Sequence, residues 1–206
     1  ISSTDVNGCV TSEIVTMTEP ATAITSSYTQ SDYNGFGVSC NGDTDGSIDL
    51  TVGGGLLPYT YAWSNTSTSE DLNGLGAGTY SVVVNDNNGC ITTETVVITE
   101  SATLTSSYTQ SDYNGFGVSC NGDTDGSIDL TVTGGVDNEN YTYAWSNTST
   151  SEDLNGLGAG TYSVVVNDNN GCNTSEIIII TEADPLTSSF TTTDWNGFEI
   201  QCNGAD

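Results

Sequence analysis

The sequence predicts an all-β fold built from tandem modules of about 80 residues set end to end as a rod, and three observations predict it. Two stretches repeat letter for letter: Thr25–Val52 recurs as Thr105–Val132, and Tyr61–Cys90 recurs as Tyr143–Cys172. The offset is 80 residues for the first stretch and 82 for the second, which places two added residues within Thr133–Thr142. A repeat of that length is long enough to own a core, unlike a solenoid unit of roughly 20–50 residues. Within each copy, Thr, Val, Ile and Tyr cluster in short alternating runs separated by Gly, Asn and Asp, the pattern of a many-stranded β domain, with no helical periodicity. The termini carry partial copies: TDVNGC at Thr4–Cys9 aligns with NDNNGC at Asn85–Cys90, and TTTDWNGFEIQCNGAD at Thr191–Asp206 restarts the pattern SDYNGFGVSCNGD. The expected organisation is the end of one module at 1–20, whole modules at 21–100 and 101–182, and the start of another at 183–206, as in a segment of a longer array.

Composition excludes whole classes of function. There are 27 acidic residues and no Lys, Arg or His, for a net charge of -27. Binding to a phosphate backbone needs cations that displace counterions, so no nucleic-acid partner is expected. An anionic membrane surface is disfavoured for the same reason, and the longest apolar run, Ile177–Ile180, is too short to insert. Side chains cannot form salt bridges with one another, which leaves apolar burial, backbone ladders, disulfides and metal ions to hold the fold. General acid–base or nucleophilic chemistry lacks its usual His, Lys or Arg partners, so no enzyme is expected. Six cysteines at regular spacing point to an oxidising, extracellular compartment. Four Asn-x-Ser/Thr sequons, at Asn65, Asn140, Asn147 and Asn173, are expected to be chance matches in so Ser/Thr/Asn-rich a chain.

Taken in order, the first module opens with a strand at Ile24–Gln30, and YNGF at Tyr33–Phe36 is an Asn-Gly hairpin-type turn. Ser47–Val52 alternates cleanly, with Ile48, Leu50 and Val52 on one face. Tyr59–Ser64 sets Tyr59, Tyr61 and Trp63 together, and Trp63 is the candidate for the core centre. Leu72 and Leu75 belong to a connection that ends at Gly76-Ala77-Gly78. Thr79–Asn85 groups Tyr80, Val82 and Val84, Asp86–Gly89 turns, and Ile91–Thr99 closes the module. Roughly seven strands in so short a span suggest a two-sheet sandwich of immunoglobulin type, with Tyr80 near the place of a tyrosine corner.

These residues resemble a family. DGSI, the Gly-Gly before the Tyr/Trp strand, YAW, L-x-x-G-x-Y, V-x-D/N-x-x-G-C and the exit I-T-E are very similar to the SprB-type repeat, named for the gliding-motility adhesin of Bacteroidota. The resemblance covers both whole modules and both fragments. It implies immunoglobulin-like modules of long cell-surface or secreted proteins, usually exported by the type IX system. The YNGF insertion and the lack of basic residues depart from that pattern.

The sharpest ligand-like constellation is Asn41, Asp43, Asp45, Gly46, Ile48 and Asp49, repeated at Asn121, Asp123, Asp125 and Asp129. It follows the first nine positions of an EF-hand loop, whose alternating oxygen donors on a tight Gly turn surround a calcium ion. The twelfth position is Val52, so a bidentate donor must come from elsewhere, with Glu70 or Asp71 as candidates. The alternative reading is a β-turn that leads into a strand, with Asp and Gly chosen for turn geometry. Asp86–Gly89 and Asp168–Gly171 carry oxygen donors too, and read first as hairpin turns. Tyr61 and Trp63 read as core residues before they read as a sugar-stacking platform for surface glycans. Adjacent Glu70 and Asp71 point to opposite faces of a strand and make no glycosidase pair.

For the cysteines, Cys40–Cys90 and Cys120–Cys172 are the first expectation, each closing a loop of about 50 residues. Spacings of 31, 30 and 30 also allow Cys9–Cys40, Cys90–Cys120 and Cys172–Cys202. A strict sandwich that puts the two cysteines of one module at opposite ends favours Cys40 with Cys172. The function expected is a non-enzymatic structural segment of an extracellular adhesin stalk or surface filament, partnered by neighbouring copies of the same repeat, with a glycan-binding module as the alternative.

Overall fold

The computed structural model describes residues 1–16, 18, 22–136 and 140–191, and the partial copy that restarts at Thr191, with Cys202, lies outside these residues apart from Thr191 itself. Among the described residues all regular elements are strands. In chain order they are β1 (Ser2–Thr4), β2 (Val10–Ser12), β3 (Thr25–Gln30), β4 (Gly46–Gly53), β5 (Thr60–Trp63), β6 (Leu72–Leu75), β7 (Gly78–Asn85), β8 (Ile91–Ile98), β9 (Ala102–Gln110), β10 (Gly126–Gly135), β11 (Thr142–Trp145), β12 (Leu154–Leu157), β13 (Gly160–Asn167) and β14 (Asn173–Ile180). Among the described residues no helix is long and apolar enough to cross a membrane.

The first copy folds into two three-stranded antiparallel sheets, β3-β4-β6 and β5-β7-β8, and the second copy repeats them as β9-β10-β12 and β11-β13-β14. The inward residues are those the alternation marks. Ile48 and Leu50 of β4, Leu72 and Leu75 of β6, Trp63 of β5, Val82 and Val84 of β7, and Val96 and Ile98 of β8 share one core with Val38. Two sheets facing each other over one apolar layer make a sandwich of immunoglobulin type. Its tyrosine corner is real: Tyr80 Oη donates to the Gly76 carbonyl at 3.0 Å, and Tyr162 Oη to Gly158 at 3.1 Å. Trp63 is buried at 4 % exposure, and its indole N–H is satisfied by the Ser69 carbonyl at 2.9 Å. The chain divides into two compact units, one of Ile1–Leu104, Gly134–Asn140 and Asp168–Cys172, the other of Thr105–Thr133, Tyr141–Asn167 and Asn173–Asp206.

Two local expectations change. Leu72–Leu75, read as a connection, is the short strand β6, paired with β4 through Ile48↔Leu72 and Gly46↔Leu75. Leu72 and Leu75 stand three residues apart, which a regular strand would set on opposite faces, and the bulge at Gly46/Ser47 with Gly74 at φ +69° accompanies the burial of both in one core. The YNGF segment adds no strand: Tyr33 and Phe36 form one isolated bridge around Asn34 and Gly35, whose φ values of +52° and +94° suit an Asn-Gly turn. Among the described residues each copy of the sandwich therefore has six strands rather than seven. The two residues inserted in the second copy coincide with a longer β10, ten residues against eight in β4.

Trp63→Ala should destabilise the protein by about 3–5 kcal/mol, the cost of a large core truncation, while Val83→Ala on the outer face should change little. Urea denaturation of the two variants checks this, and equal losses would refute the inward assignment of Trp63. Ser101 is 3 % exposed and its hydroxyl has no hydrogen-bond partner among the described residues. Ser101→Ala, the residue type at the corresponding Ala183, should raise stability by about 1 kcal/mol, because an unsatisfied buried hydroxyl is removed.

Candidate functional site

With no basic side chain available, carboxylates are paired to N–H and hydroxyl donors, and the turns of the sandwich are built around them. The Asp86 carboxylate accepts from the backbone N–H groups of Asn88 at 2.9 Å and Cys90 at 2.8 Å through one oxygen, and from Leu56 at 3.0 Å through the other. Asp168 does the same for Asn170, Cys172 and Val136. Asp5 holds Asn7 and Cys9 in the β1–β2 hairpin, so the partial copy at the N-terminus keeps the turn that its sequence marks. Burial works to raise the Asp86 carboxyl, but N–H donors of Cys90, Leu56, Asn88 and Gly89 outweigh it and hold it below the usual carboxylate range.

The acidic loop is tied down in the same way. Ser39 donates its hydroxyl to Asp43 at 2.8 Å and its N–H to Asp45 at 3.1 Å, and Ser39 holds the Asp45 carboxyl low. Asn41 donates to the Ser101 carbonyl and accepts from the Thr103 hydroxyl, each at 2.8 Å. Asp49 lies on β4 opposite Thr29. The second copy repeats the Ser119–Asp123 and Ser119–Asp125 bonds, with Asn121 donating to Ala183. Among the described residues no three His, Cys, Asp or Glu side chains gather so as to hold a metal ion. As built, the segment is a hydrogen-bonded turn in which Ser39 engages one oxygen of Asp43 and one of Asp45. Glu70 and Asp71 do not join it: Asp71 accepts from the Leu50 N–H at 3.0 Å. Burial and then Glu70 push the Tyr61 phenol up to about 12, and burial with Glu152 does the same to Tyr143.

The exit I-T-E segment is what seats this loop. Gly37 and Val38 donate backbone N–H groups to the Thr99 carbonyl, and Gly42 donates to the Glu100 carboxylate at 2.7 Å. Gly37 permits that approach, since a Cβ there would sit 2.8 Å from Ile98 Cγ2. The Glu of that segment was not singled out as a partner of the loop, although its recurrence as Glu182, which binds the Gly122 N–H at 2.7 Å, is a usable signal.

This seating corrects the cysteine pairing. Cys40 lies between Val38, which bonds Thr99 just past the far end of β8, and Asn41, which bonds Ser101, whereas Cys90 immediately precedes the first residue of β8, Ile91. Eight residues of strand span about 26 Å, and a disulfide needs Cα atoms within about 7 Å. Cys40–Cys90 is therefore out of reach, and Cys120 and Cys172 are separated by β14 in the same way. The bridge that forms is Cys40–Cys172, with Cα atoms 5.7 Å apart, joining a cysteine of one sequence copy to a cysteine of the other. Cys9, Cys90 and Cys120 are exposed free thiols, so neither Cys9–Cys40 nor Cys90–Cys120 is formed.

Around the bridge, Asn170 spends its whole amide. Its Nδ2 donates to the carbonyls of Tyr33 at 3.2 Å and Ser39 at 3.0 Å, and its Oδ1 accepts from Asn34 Nδ2 at 2.5 Å. The Cys172 sulfur lies 3.3 Å from the Ser39 carbonyl oxygen. Asn34 and Asn170 had no assigned role in the sequence, because turn chemistry alone accounts for an Asn at either place.

Residues 38–68 and 118–150 match the family model described as SprB repeat. None of the curated proteins matches the chain. Among solved structures, the eight N-terminal Ig domains of Down syndrome cell adhesion molecule isoform 1.30.30 share 11 % identity, cover 78 % of this chain and 25 % of that one, and give a TM-score of 0.42. This chain thus spans about a quarter of that one's length. Murine CEACAM1b shares 13 % identity, covers 68 % of this chain and 93 % of that one, and gives a TM-score of 0.29.

Two outcomes are expected. The bridge closes a separation of 132 residues, and Cys40→Ser should cost about 5 kcal/mol on the loop-closure estimate. Cys172→Ser should cost the same and the double variant no more, as read from urea midpoints. The second concerns pH. Because the folded-state value of Asp86 is depressed, its stabilisation is complete above the unfolded-state value near 3.9 and is lost as pH falls through the lower folded-state value. The stability gap between the native chain and Asp86→Asn should accordingly shrink on acidification, and a gap constant from neutral to strongly acid pH would exclude this role.

Proposed function

Because the chain carries two SprB-type repeats, we propose that it is a non-enzymatic structural segment of an extracellular adhesin stalk or surface filament, of the kind the SprB resemblance links to type IX export and gliding motility. The observation that carries this reading is the duplication itself: two letter-identical stretches, each folded around its own core, joined at Glu100-Ser101 without a flexible linker. Duplication of a cored module adds length and rigidity, whereas an active site gains nothing from a second identical copy. A disulfide between cysteines of the two copies suits a load-bearing segment in an oxidising compartment. The glycan-binding alternative draws no support from Trp63 and Trp145, whose rings are buried at 4 % and 5 % exposure. Calcium at Asn41, Asp43, Asp45 and Asp49 and their counterparts belongs to the same proposal as an added stiffener. A rise in melting temperature with calcium at fixed ionic strength would register it.

Small-angle scattering tests the stalk. Modules of roughly 30–40 Å set end to end give a radius of gyration of about 23 Å, while one compact globule of this length gives about 17 Å. A value near the lower figure would overturn the reading.

A further inference from the structure

We infer that the loop around Cys120 and the turn around Cys90 are the two halves of a second copy of the Cys40–Cys172 junction, and that they join one chain to another through a Cys120–Cys90 disulfide. This deepens the stalk reading by naming the partner, a second copy of this chain, but it rests on the made junction and on a comparison of identical residues in two surroundings.

Cys40 and Cys120 stand in the same sequence, TSSYTQSDYNGFGVSCNGD, and Cys90 and Cys172 stand in the same sequence, NDNNGC. Where the junction is made, Tyr33, Phe36, Ser39 and Cys40 are half-buried, and so are Asn170 and Cys172. Their letter-identical counterparts Tyr113, Phe116, Ser119 and Cys120, and Asn88 and Cys90, are all exposed. Residue type and local fold are equal on both sides, so the difference is the covering partner.

Each half is held ready. The Tyr113–Phe116 bridge and the Ser119–Asp123 and Ser119–Asp125 bonds reproduce those of the first copy. Asp86 braces the Cys90 turn from Asn88, Cys90 and Leu56, just as Asp168 braces Cys172 from Asn170, Cys172 and Val136. The Asp5–Cys9 turn has Val6 in place of Asn87, and among the described residues no N–H donor braces Asp5 as Leu56 braces Asp86, which makes Cys90 the better match. Among the described residues the side chains of Asn88 and Asn114 make no hydrogen bond, whereas Asn170 and Asn34 bond each other. A loop and a turn at different places on one chain that fit each other form a heterologous contact, which propagates head to tail rather than closing as a dimer.

The covalent step needs an oxidant, and a small-molecule disulfide supplies it. The Cys120 thiolate attacks the small disulfide, forming a mixed disulfide and releasing one small thiolate. The Cys90 thiolate of the second chain then attacks the Cys120 sulfur and releases the other. The two protein thiols lose two electrons and two protons, and the small disulfide becomes two thiols.

The test uses the full chain with Cys9→Ser and Cys202→Ser, so that exchange is confined to the thiols in question. Two variants are made in that background, one with Cys90→Ser and one with Cys120→Ser, and each keeps the Cys40–Cys172 bridge. They are oxidised with glutathione disulfide under native conditions, alone and in equimolar mixture. The two variants have equal mass, so the Cys120→Ser chain is uniformly 15N-labelled, and intact mass then identifies the dimers, since peptides around Cys40 and Cys120 are identical and the chain has no Lys or Arg for trypsin. The inference expects the mixed dimer to form nearly to the exclusion of either homodimer. Indiscriminate coupling of exposed thiols gives a mixed share of roughly half and would overturn it. Adding Asn88→Ala to the chain that supplies Cys90 should slow mixed-dimer formation about tenfold, through loss of the amide contacts that Asn170 makes. An unchanged rate, or a Cys90–Cys120 link found only within monomers of the chain that keeps both thiols, also refutes the junction. Scattering from the single chain is untouched by either result, so the stalk reading stands or falls separately.

Discussion

Twenty-seven carboxylates with no cationic side chain to meet them is the constraint on which the structure depends. Ion pairing is closed, so carboxylates that are not left to water are satisfied by backbone N–H groups or hydroxyls. The protein uses this as its means of building turns. Asp86 and Asp168 each take three N–H donors, Asp71 and Asp153 clasp the strand N–H groups of Leu50 and Leu130, and Asp32 and Asp112 close the Asn-Gly turns by accepting from Gly35 and Gly115. Glu94 and Glu176 accept from Ser26 and Ser106, tying the first strand of one sheet to the last strand of the other. Hydrogen bonds to a charged acceptor are stronger than those between neutral groups, so an acidic chain can hold its loops without one salt bridge.

The same constraint explains why the core can be small. Loops pinned by carboxylates leave the apolar layer only the task of joining two three-stranded sheets, and ten buried side chains per copy accomplish it. Trp63 and Trp145 fill the centre, and the tyrosine corners lock Tyr80 and Tyr162 at the approach to β7 and β13. The close passage of Gly37 against Ile98 then carries the acidic loop to the exit of the sandwich, where Thr99 and Glu100 receive it. Cys40 is delivered to that end by packing rather than by its distance along the chain.

Much of this was legible in order and spacing. Alternation at Ile48, Leu50, Val82 and Val84 identified the inward face, because a strand's side chains alternate whatever the strand packs against. Asn34-Gly35 announced its turn, since few residues other than Asn and Gly tolerate two successive positive φ values. Leu72–Leu75 was misjudged because its two outer residues, Asn73 and Gly74, carry turn chemistry, and only the neighbouring β4 makes the segment a strand. In the candidate site, Asp43 and Asp45 matched a metal loop by spacing, but spacing cannot tell which donor a carboxylate meets, and Ser39 lies ahead of the motif.

By itself, then, the sequence determined the fold class, the repeat, the inward faces and the absence of ion pairs, all properties of local pattern and composition. The tertiary structure decided among the pairings the cysteines allow, and the one formed is Cys40–Cys172, which a strict sandwich favours. Which cysteines meet depends on the roughly 26 Å of β8 that separates Cys40 from Cys90 and on the turn that carries Asn170 and Cys172 to the carbonyls of Tyr33 and Ser39. Those distances arise only once the sheets are packed, because a pairing across 132 residues leaves no trace in the spacing of the chain.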